Sequence, residues 1–296
     1  MTAVATALAV DIGGTKMAVG LVSTDGHLGP KLQVATPDDR DPEVVFGALA
    51  TLIRQVLDGA AGPVVCGVGC GGPMTLGGAT VSPLNIPAWR DFPLRSRLAE
   101  LTALPTFVDN DAKALALGEG WCGAAEGHRA YVALVVSTGV GGGIVLDGRL
   151  LEGEGGNAGH IGHLIVEPAG RECRCGARGC LEAEASGTAI AAVTGRPAQE
   201  ATDPVRARTG RLVGRAVASV ANLLDLRLAV VAGSVALGFG DTFFAAAQAE
   251  LDRSARLRFS RGARVRPAGL GADGPLVGAA AVGWVAMGEP LLSAPE

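Results

Sequence analysis

The chain has 296 residues, of which 48% are hydrophobic and 18% charged, with a formal net charge of -4. This composition excludes a disordered chain, and the lack of a basic surplus excludes broad nucleic-acid binding. The length exceeds one small core and predicts two domains.

Residues 1–10 place no basic stretch ahead of their apolar residues and run directly into a strand, so they do not read as an export signal. The strand at 7–10 leads into Asp11-Ile12-Gly13-Gly14-Thr15-Lys16, a second apolar run at 17–22 and the turn Thr24-Asp25-Gly26. Residues 42–57 space Val44, Val45, Leu49, Leu52, Ile53 and Val56 along one face of a helix. A buried strand at 64–68 is followed by a Gly/Pro/Asn-rich excursion at 71–89, long enough to carry function. The uncharged run around it holds Pro63, Pro73, Pro83 and Pro87, which excludes a membrane-spanning helix. A helix at 92–101 and a short strand at 106–108 precede Asp109-Asn110-Asp111, with Asp111 as the N-cap of a helix through 112–118. The strand at 131–136 opens into Ser137-Thr138-Gly139-Val140-Gly141-Gly142-Gly143, then a strand at 144–146 and the turn Asp147-Gly148. Helices at 185–193 and 205–226, a strand at 228–231 ending at Gly233-Ser234, and a small-residue helix at 275–287 follow. Strands alternate with helices, so the class is α/β.

The two Gly/Thr turns share one plan: strand, turn, strand, turn, strand. A repeated unit in a chain of this length predicts two related domains facing each other across a cleft. Glycine lets backbone approach a ligand closely, and successive N–H groups cradle phosphate oxygens. Thr15 and Thr138 add hydroxyl donors, and Asp11 at a strand end suits the water shell of Mg2+. Neither turn has the P-loop spacing. Lys16 reads equally as a phosphate contact and as a solvated charge. Asp109-Asn110-Asp111 reads either as a polar turn or as the carriage of a general base. Phosphoryl transfer needs mainly positioning and charge stabilisation, so an ordinary carboxylate suffices.

The six cysteines are expected in a reducing compartment, as thiols or metal ligands rather than disulfides. His163, Cys173, Cys175 and Cys180 match a Cys3His tetrahedral zinc set whose four positions are all protein, hence a structural site. Cys66, Cys70 and Cys122 sit in apolar or glycine-rich company and read as small core residues. His160 is surplus to the metal set and reads as cleft-lining or merely polar. Glu182 is left between substrate contact and solvated charge. Asn85, an amide in a long loop, suits either a sugar hydroxyl or a turn.

Taken together, these motifs resemble the ROK (repressor, open reading frame, kinase) family. Asp11 to Lys16 looks like its first phosphate motif. Residues 139–144 with Gly153, Gly159, Gly162 and His163 resemble its signature, and residues 173–182 its zinc motif; the tail at 268–280 fits its end. The likeness covers essentially the whole chain. It implies a two-domain, actin-like (ribonuclease H-like) ATPase fold with an inter-domain cleft. A small lobe of residues 1–111 plus a C-terminal helix 284–296 would face a large lobe of 112–283 with the zinc loop. It further implies an ATP-dependent hexose 6-kinase in which Asp111 deprotonates the sugar hydroxyl. Asn85, Asn110, Asp111, His160, His163 and Glu182 would contact the sugar. Asp11, Gly13, Gly14, Thr15, Lys16, Thr138, Gly139, Gly233 and Ser234 would hold ATP and Mg2+.

Two departures bear on the sugar. His160 stands where family glucokinases usually carry Glu, and the His form most resembles the bacterial N-acetylmannosamine kinases. Lys113 replaces an Asn often found two residues after the base and reads as a surface change on the helix. N-acetylmannosamine is therefore the leading substrate and glucose the alternative. A ROK transcriptional regulator is more remote, since the phosphate motif begins at Asp11, and a non-enzymatic actin-like switch would need neither Asp111 nor the zinc loop. The expected setting is cytoplasmic, as a homodimer, with a small-molecule sugar as partner and neither nucleic acid nor membrane.

Overall fold

The structure is a computed structural model that describes residues 5–59 and 62–292. In chain order, β1 (Thr6–Ile12), β2 (Lys16–Ser23) and β3 (Leu28–Ala35) form an antiparallel meander. It is followed by α1 (Pro42–Leu57), β4 (Val65–Cys70), α2 (Leu94–Thr102), β5 (Thr106–Asn110) and α3 (Asp111–Cys122). A second antiparallel meander comprises β6 (Tyr131–Val136), β7 (Val140–Leu146) and β8 (Arg149–Leu150). Then come α4 (Leu181–Ala185), α5 (Gly187–Thr194), α6 (Asp203–Leu224), β9 (Leu228–Ala232), α7 (Ser234–Ser254), β10 (Arg264–Pro267) and α8 (Gly274–Ala286). The two sheets run β3-β2-β1-β4-β5 and β10-β9-β6-β7-β8. In each, the first strand of the meander continues into two parallel strands. The repeat expected from the two Gly/Thr turns is therefore present as the same half-antiparallel, half-parallel sheet built twice.

The described residues divide into two compact units: 5–126 with 152–158 and 270–292, and 127–151 with 159–269. The first unit thus keeps all of α3 and α8, where the sequence reading drew its borders after 111 and at 284. Packing explains the difference. A Cβ on Gly118 would lie 2.9 Å from the Gly278 nitrogen, and one on Gly278 would lie 2.9 Å from the Leu115 nitrogen. The two helices touch backbone to backbone and cannot belong to separate bodies. The expected helix 284–296 is only the last turn of α8, which ends at Ala286, and residues 293–296 lie outside the described residues.

Side-chain alternation along β1 explains how the first unit is filled. Leu8 and Val10 join Val19, Leu49 and Ile53 on the face covered by α1, while Ala7 and Ala9 join Leu276 and Ala280 on the face covered by α8. The small residues of α8 let it lie close to the sheet, as its composition predicts. In the second unit, Val132, Leu134 and Val136 pack with Val213, Val217 and Phe243 from α6 and α7.

Helix α1 begins at Pro42 because the Asp41 carboxylate accepts from the Glu43 N–H at 2.9 Å. Its buried face keeps Val45, Leu49, Leu52, Ile53 and Val56 of the expected set and adds Phe46, whereas Val44, at the edge, is 45% exposed. The helix expected at 185–193 starts at Gly187, where the Ser186 hydroxyl accepts from the Ala189 N–H. No helix is read from the sequence over Ser234–Ser254, where Gly238 and a break at Gly240 (φ 56°, ψ -142°) blur the period. No described helix is long and apolar enough to cross a membrane.

Candidate functional site

In the first unit the site is assembled at the carboxyl ends of β1, β4 and β5. Asp11 pairs with Gly69, and Gly69 with Asp109, so register brings the acidic ends of β1 and β5 level across one glycine strand. Gly69 matters here: a Cβ on it would lie 3.5 Å from the Asp111 Cα and 3.8 Å from an Asp11 carboxylate oxygen. Asp11 is buried, and burial, followed by the charge of Asp111 and opposed by Lys16, pushes its carboxyl up to about 7. Cys66 and Cys70 are fully buried core thiols as expected, whereas Cys122 is half-buried. Burial, with the charges of Asp111 and Asp11 behind it, holds Cys70 well above the usual thiol range.

The turn after β1 is closed by Gly13 N–H donating to the Lys16 carbonyl at 3.0 Å, and pinned by the Thr36 hydroxyl donating to the Gly13 carbonyl at 2.7 Å. Gly14, Thr15 and Lys16 are exposed beyond it. Position 14 needs glycine for a reason beyond ligand approach: an added Cβ would strike the Cβ of Asn85 and lie 3.1 Å from its carbonyl oxygen. The long loop at 71–89 therefore lies directly on the phosphate-type turn. Its rigidity comes from Trp89, which is fully buried, stacks on Phe92 at 4.6 Å and donates to the Pro42 carbonyl. Arg90 adds a fixed cap by donating to the carbonyls of Pro83, Ile86 and Trp89.

Asp111 is the first residue of α3 and is exposed; the N-cap is Asn110, one residue before the position expected from the sequence. The Asn110 amide oxygen accepts from the Ala112 N–H at 3.0 Å, and one Asp111 carboxylate oxygen meets the same N–H at 2.9 Å. A carboxylate on the first helical turn also gains from the helix dipole. The side chain that sequence reasoning missed is Lys113. Far from decorating the surface, it is 2% exposed. Its ammonium pairs with Asp109 at 2.9 Å, forms an ion pair with Glu152 and donates to the Gly156 carbonyl at 3.2 Å. Lys113 thereby ties the 152–158 segment to the helix that carries Asp111. Burial raises the Asp109 carboxyl, and Lys113 opposes that shift. The signal available in the sequence was a lysine at i+4 from an aspartate inside an otherwise apolar helix.

The second unit carries the matching turn. Ser137 N–H donates to the Gly139 carbonyl at 2.9 Å, and the Ser137 carbonyl accepts from Gly187 N–H at 2.7 Å. Thr138 is exposed, with its carbonyl accepting from the Thr188 hydroxyl. Ser137 and Ser234 share a hydroxyl hydrogen bond at 3.0 Å, so the turn after β6 and the turn after β9 form one polar ledge. Gly233, at φ +99°, opens α7 there; a side chain would strike the Val136 backbone. Glu182 is neither loose nor merely solvated. One of its oxygens accepts from the Val140 N–H at 2.9 Å, fastening α4 to the glycine turn.

His160 is exposed and precedes the short turn Ile161–His163; its ring centroid lies 6.1 Å from that of His163. His163, Cys173, Cys175 and Cys180 converge, with all four ligand atoms within 4.8 Å of one another. Cys173 Sγ lies 3.7 Å from His163 Nδ1, and Cys175 Sγ lies 3.7 Å from Cys180 Sγ. Ligands at the corners of a tetrahedron around a zinc ion, with Zn–S about 2.3 Å, would sit about 3.7 Å apart, so the donor set fits zinc. Backbone hydrogen bonds across the loop hold it in this shape, including Cys173 N–H to the Ala177 carbonyl at 2.8 Å and Leu181 N–H to the Leu164 carbonyl at 2.9 Å. Burial, then the neighbouring thiols, pushes Cys180 up to about 12. Asn85, Asn110, Asp111, Asp11 and the 13–16 turn thus belong to the first unit, and Thr138, Gly139, His160, His163, Glu182, Gly233 and Ser234 to the second.

A sequence profile described as the ROK family matches residues 7–284. The chain is 38% identical over 251 residues to an N-acetylmannosamine kinase of Escherichia fergusonii, covering 79% of this chain and 85% of that protein. It is 45% identical over 185 residues to a glucokinase of Thermotoga maritima, covering 62% of this chain and 58% of that protein, so that match spans less than two thirds of its relative. Among solved structures, a ROK hexokinase from Thermus thermophilus superposes with a TM-score of 0.83 at 36% identity, covering 96% of this chain and 99% of that one. A ROK family glucokinase from Streptomyces griseus, solved with glucose and AMPPNP, gives 0.82 at 30% identity, covering 94% and 99%. The two mixed α/β sheets are those of the actin-like ATPase fold that the sequence motifs predict.

Proposed function

The chain belongs to the ROK family, and on that premise we propose that it is an ATP-dependent hexose 6-kinase, with N-acetylmannosamine as leading substrate and glucose as the alternative. The observation that carries the reading is Asp111. It stands exposed at the start of α3, beside the buried Asp11 and the glycine turn on which Asn85 rests. In this reaction the sugar 6-oxygen attacks the γ-phosphorus, the bond to the β-γ bridging oxygen breaks, and Asp111 takes the hydroxyl proton. Asn85 and Asn110 would orient the sugar from the first unit, and His160, His163 and Glu182 from the second. The turns at 13–16, 138–139 and 233–234 would cradle the nucleotide through backbone N–H groups and hydroxyls.

Asp11, a buried carboxylate beside a second one, suits a hard cation with oxygen ligands. It would hold Mg2+, which when bound supplies charge neutralisation on the transferring phosphoryl group. The Cys3His set would hold a structural zinc ion. With Nδ1 turned to the sulfurs, the other ring nitrogen of His163 is left to a sugar hydroxyl. The N-acetylmannosamine reading rests on His160, whose ring offers one donor and one acceptor where a carboxylate would only accept. The glucose reading is supported by relatives bearing that activity in their names. A homodimer in the cytoplasm belongs to the same proposal.

The test is a sugar panel on purified protein with a coupled ADP assay, comparing kcat/KM for N-acetylmannosamine and glucose and repeated with polyphosphate as donor. Asp111→Asn is expected to lower kcat by about 10²- to 10⁴-fold, the usual worth of a positioned base. Undiminished turnover in that variant would remove Asp111 from the role, and no turnover of any hexose would remove the kinase reading.

A further inference from the structure

The loop joining α7 to β10 and the start of that strand hold five arginines in eleven residues: Arg256, Arg258 and Arg261 in the loop, Arg264 and Arg266 on β10, with no acid among residues 256–266. All five are exposed, and none forms an ion pair with a described residue. Arg253, just before them, differs: it is bound to the buried Glu250. In a chain of net charge -4, this is a local inversion of sign.

The same loop walls a cavity of about 310 Å3, lined by Leu251, Asp252, Ala255, Arg256, Ser260 and Arg261 together with Gly262 and Ala263. Its frame is fixed. Ser260 is fully buried and donates to the Asn222 side chain at 2.6 Å. Arg261 N–H donates to the Leu257 carbonyl at 3.0 Å and its Nε to the Arg256 carbonyl at 2.9 Å, which sets the direction of that guanidinium and leaves its outer nitrogens to a ligand. The one acid on the wall, Asp252, accepts from the Gln248 amide at 2.8 Å. Leu257 and Phe259, 49% and 39% exposed, flank the arginines with apolar surface.

We propose that this cavity is an anion site for a small molecule bearing two or more phosphate groups, separate from the nucleotide turns. A single exposed charge pair is worth little in water. Arg256 and Arg261, the two guanidiniums on the cavity wall, would engage a polyphosphorylated ligand together, each with paired N–H donors matched to phosphate oxygens. The cavity volume lies at the lower end of small-ligand sites. Of the five, Arg256 and Arg261 stand on the wall of the concavity, and two guanidiniums on one concave wall suit a compact anion. The site lies at the far end of α7 from Gly233 and Ser234; at about 1.5 Å per residue, the 21 residues of that helix put up to about 30 Å between them.

The probe is inorganic tripolyphosphate, titrated calorimetrically into protein already saturated with sugar and AMPPNP, so that the nucleotide turns are blocked. One saturable site is expected, weakening as salt is raised. Arg256→Ala/Arg261→Ala should weaken it by about tenfold or more while kcat/KM for the sugar is unchanged. Arg256→Lys/Arg261→Lys, which keeps charge but loses the fork, should fall between. No heat with the wild type, or equal affinity in the alanine variant, overturns the proposal. So does tight binding of a single-stranded oligonucleotide with none of tripolyphosphate, which would make the loop a polymer surface. Because sugar turnover is measured separately, failure here leaves the kinase reading untouched.

Discussion

Lys113 carries its ammonium into a position with 2% exposure and satisfies Asp109, Glu152 and the Gly156 carbonyl at once. Replacing it by Met keeps the volume but leaves Asp109 buried and unpaired. Removing one partner of a buried pair costs roughly 3 kcal/mol, and Lys113→Met is expected to lose stability on that order in urea unfolding. Adding Asp109→Asn should recover part of the loss, because the stranded charge is gone. Hydrogen exchange should also quicken at 152–158, which Lys113 ties to α3. Asp11 gives a pH signature. Its folded-state carboxyl sits at about 7 against an ordinary 3.8, mainly through burial. The native state therefore binds a proton that the unfolded chain has released, and unfolding free energy falls as pH rises from about 4 to about 7. Comparing metal-free wild type with Asp11→Asn at the two ends of that window checks this: the variant should show a shallower decline. Magnesium held at Asp11 as proposed would displace that proton, so affinity for the ion should drop as pH is lowered below about 7.

At the scale of elements, the Cys3His loop, proposed to hold zinc, is a nearly autonomous device. Its ligands span residues 163–180, and its own bridges, Ile165 with Cys180 and Glu172 with Arg178, draw them together. Removing the metal with a chelator, or Cys180→Ser, is expected to abolish about one equivalent of bound zinc per chain. Sugar KM should rise more than kcat falls, because His163 is proposed both as a ligand and as a sugar contact. Metal analysis finding no zinc in freshly purified protein would dismiss the site. The convergence of these four side chains was legible in the sequence because they are close in the chain and of metal-ligating types. The meanders were legible too, since apolar runs alternate with Gly/Thr turns. Helix α7 was not, because its alanines and glycines carry little period and Gly240 interrupts it. The N-cap at Asn110 was misplaced by one residue because Asn and Asp both cap well, and only backbone geometry chooses between them.

At the scale of the whole molecule, α8 is the closing piece of the first unit: the chain returns from the second unit at 270 and lays α8 against β4 and α3. Gly278→Val would drive a branched side chain into the backbone of α3 and is expected to cost roughly 3 kcal/mol, read as a lowered midpoint in thermal or urea unfolding. The same return decided the unit boundaries, which a reading of linear segments placed at 111 and 284. What the sequence alone determined was the local chemistry: two phosphate-type turns, a Cys3His set, an Asp after a strand and a family signature, each written within a few tens of residues. What only the tertiary structure decided was which distant groups share a burial site. Lys113 met Glu152, Gly14 met Asn85, and Gly118 met Gly278, because the energy of those contacts depends on packing between segments far apart in the chain, which no spacing of residues encodes.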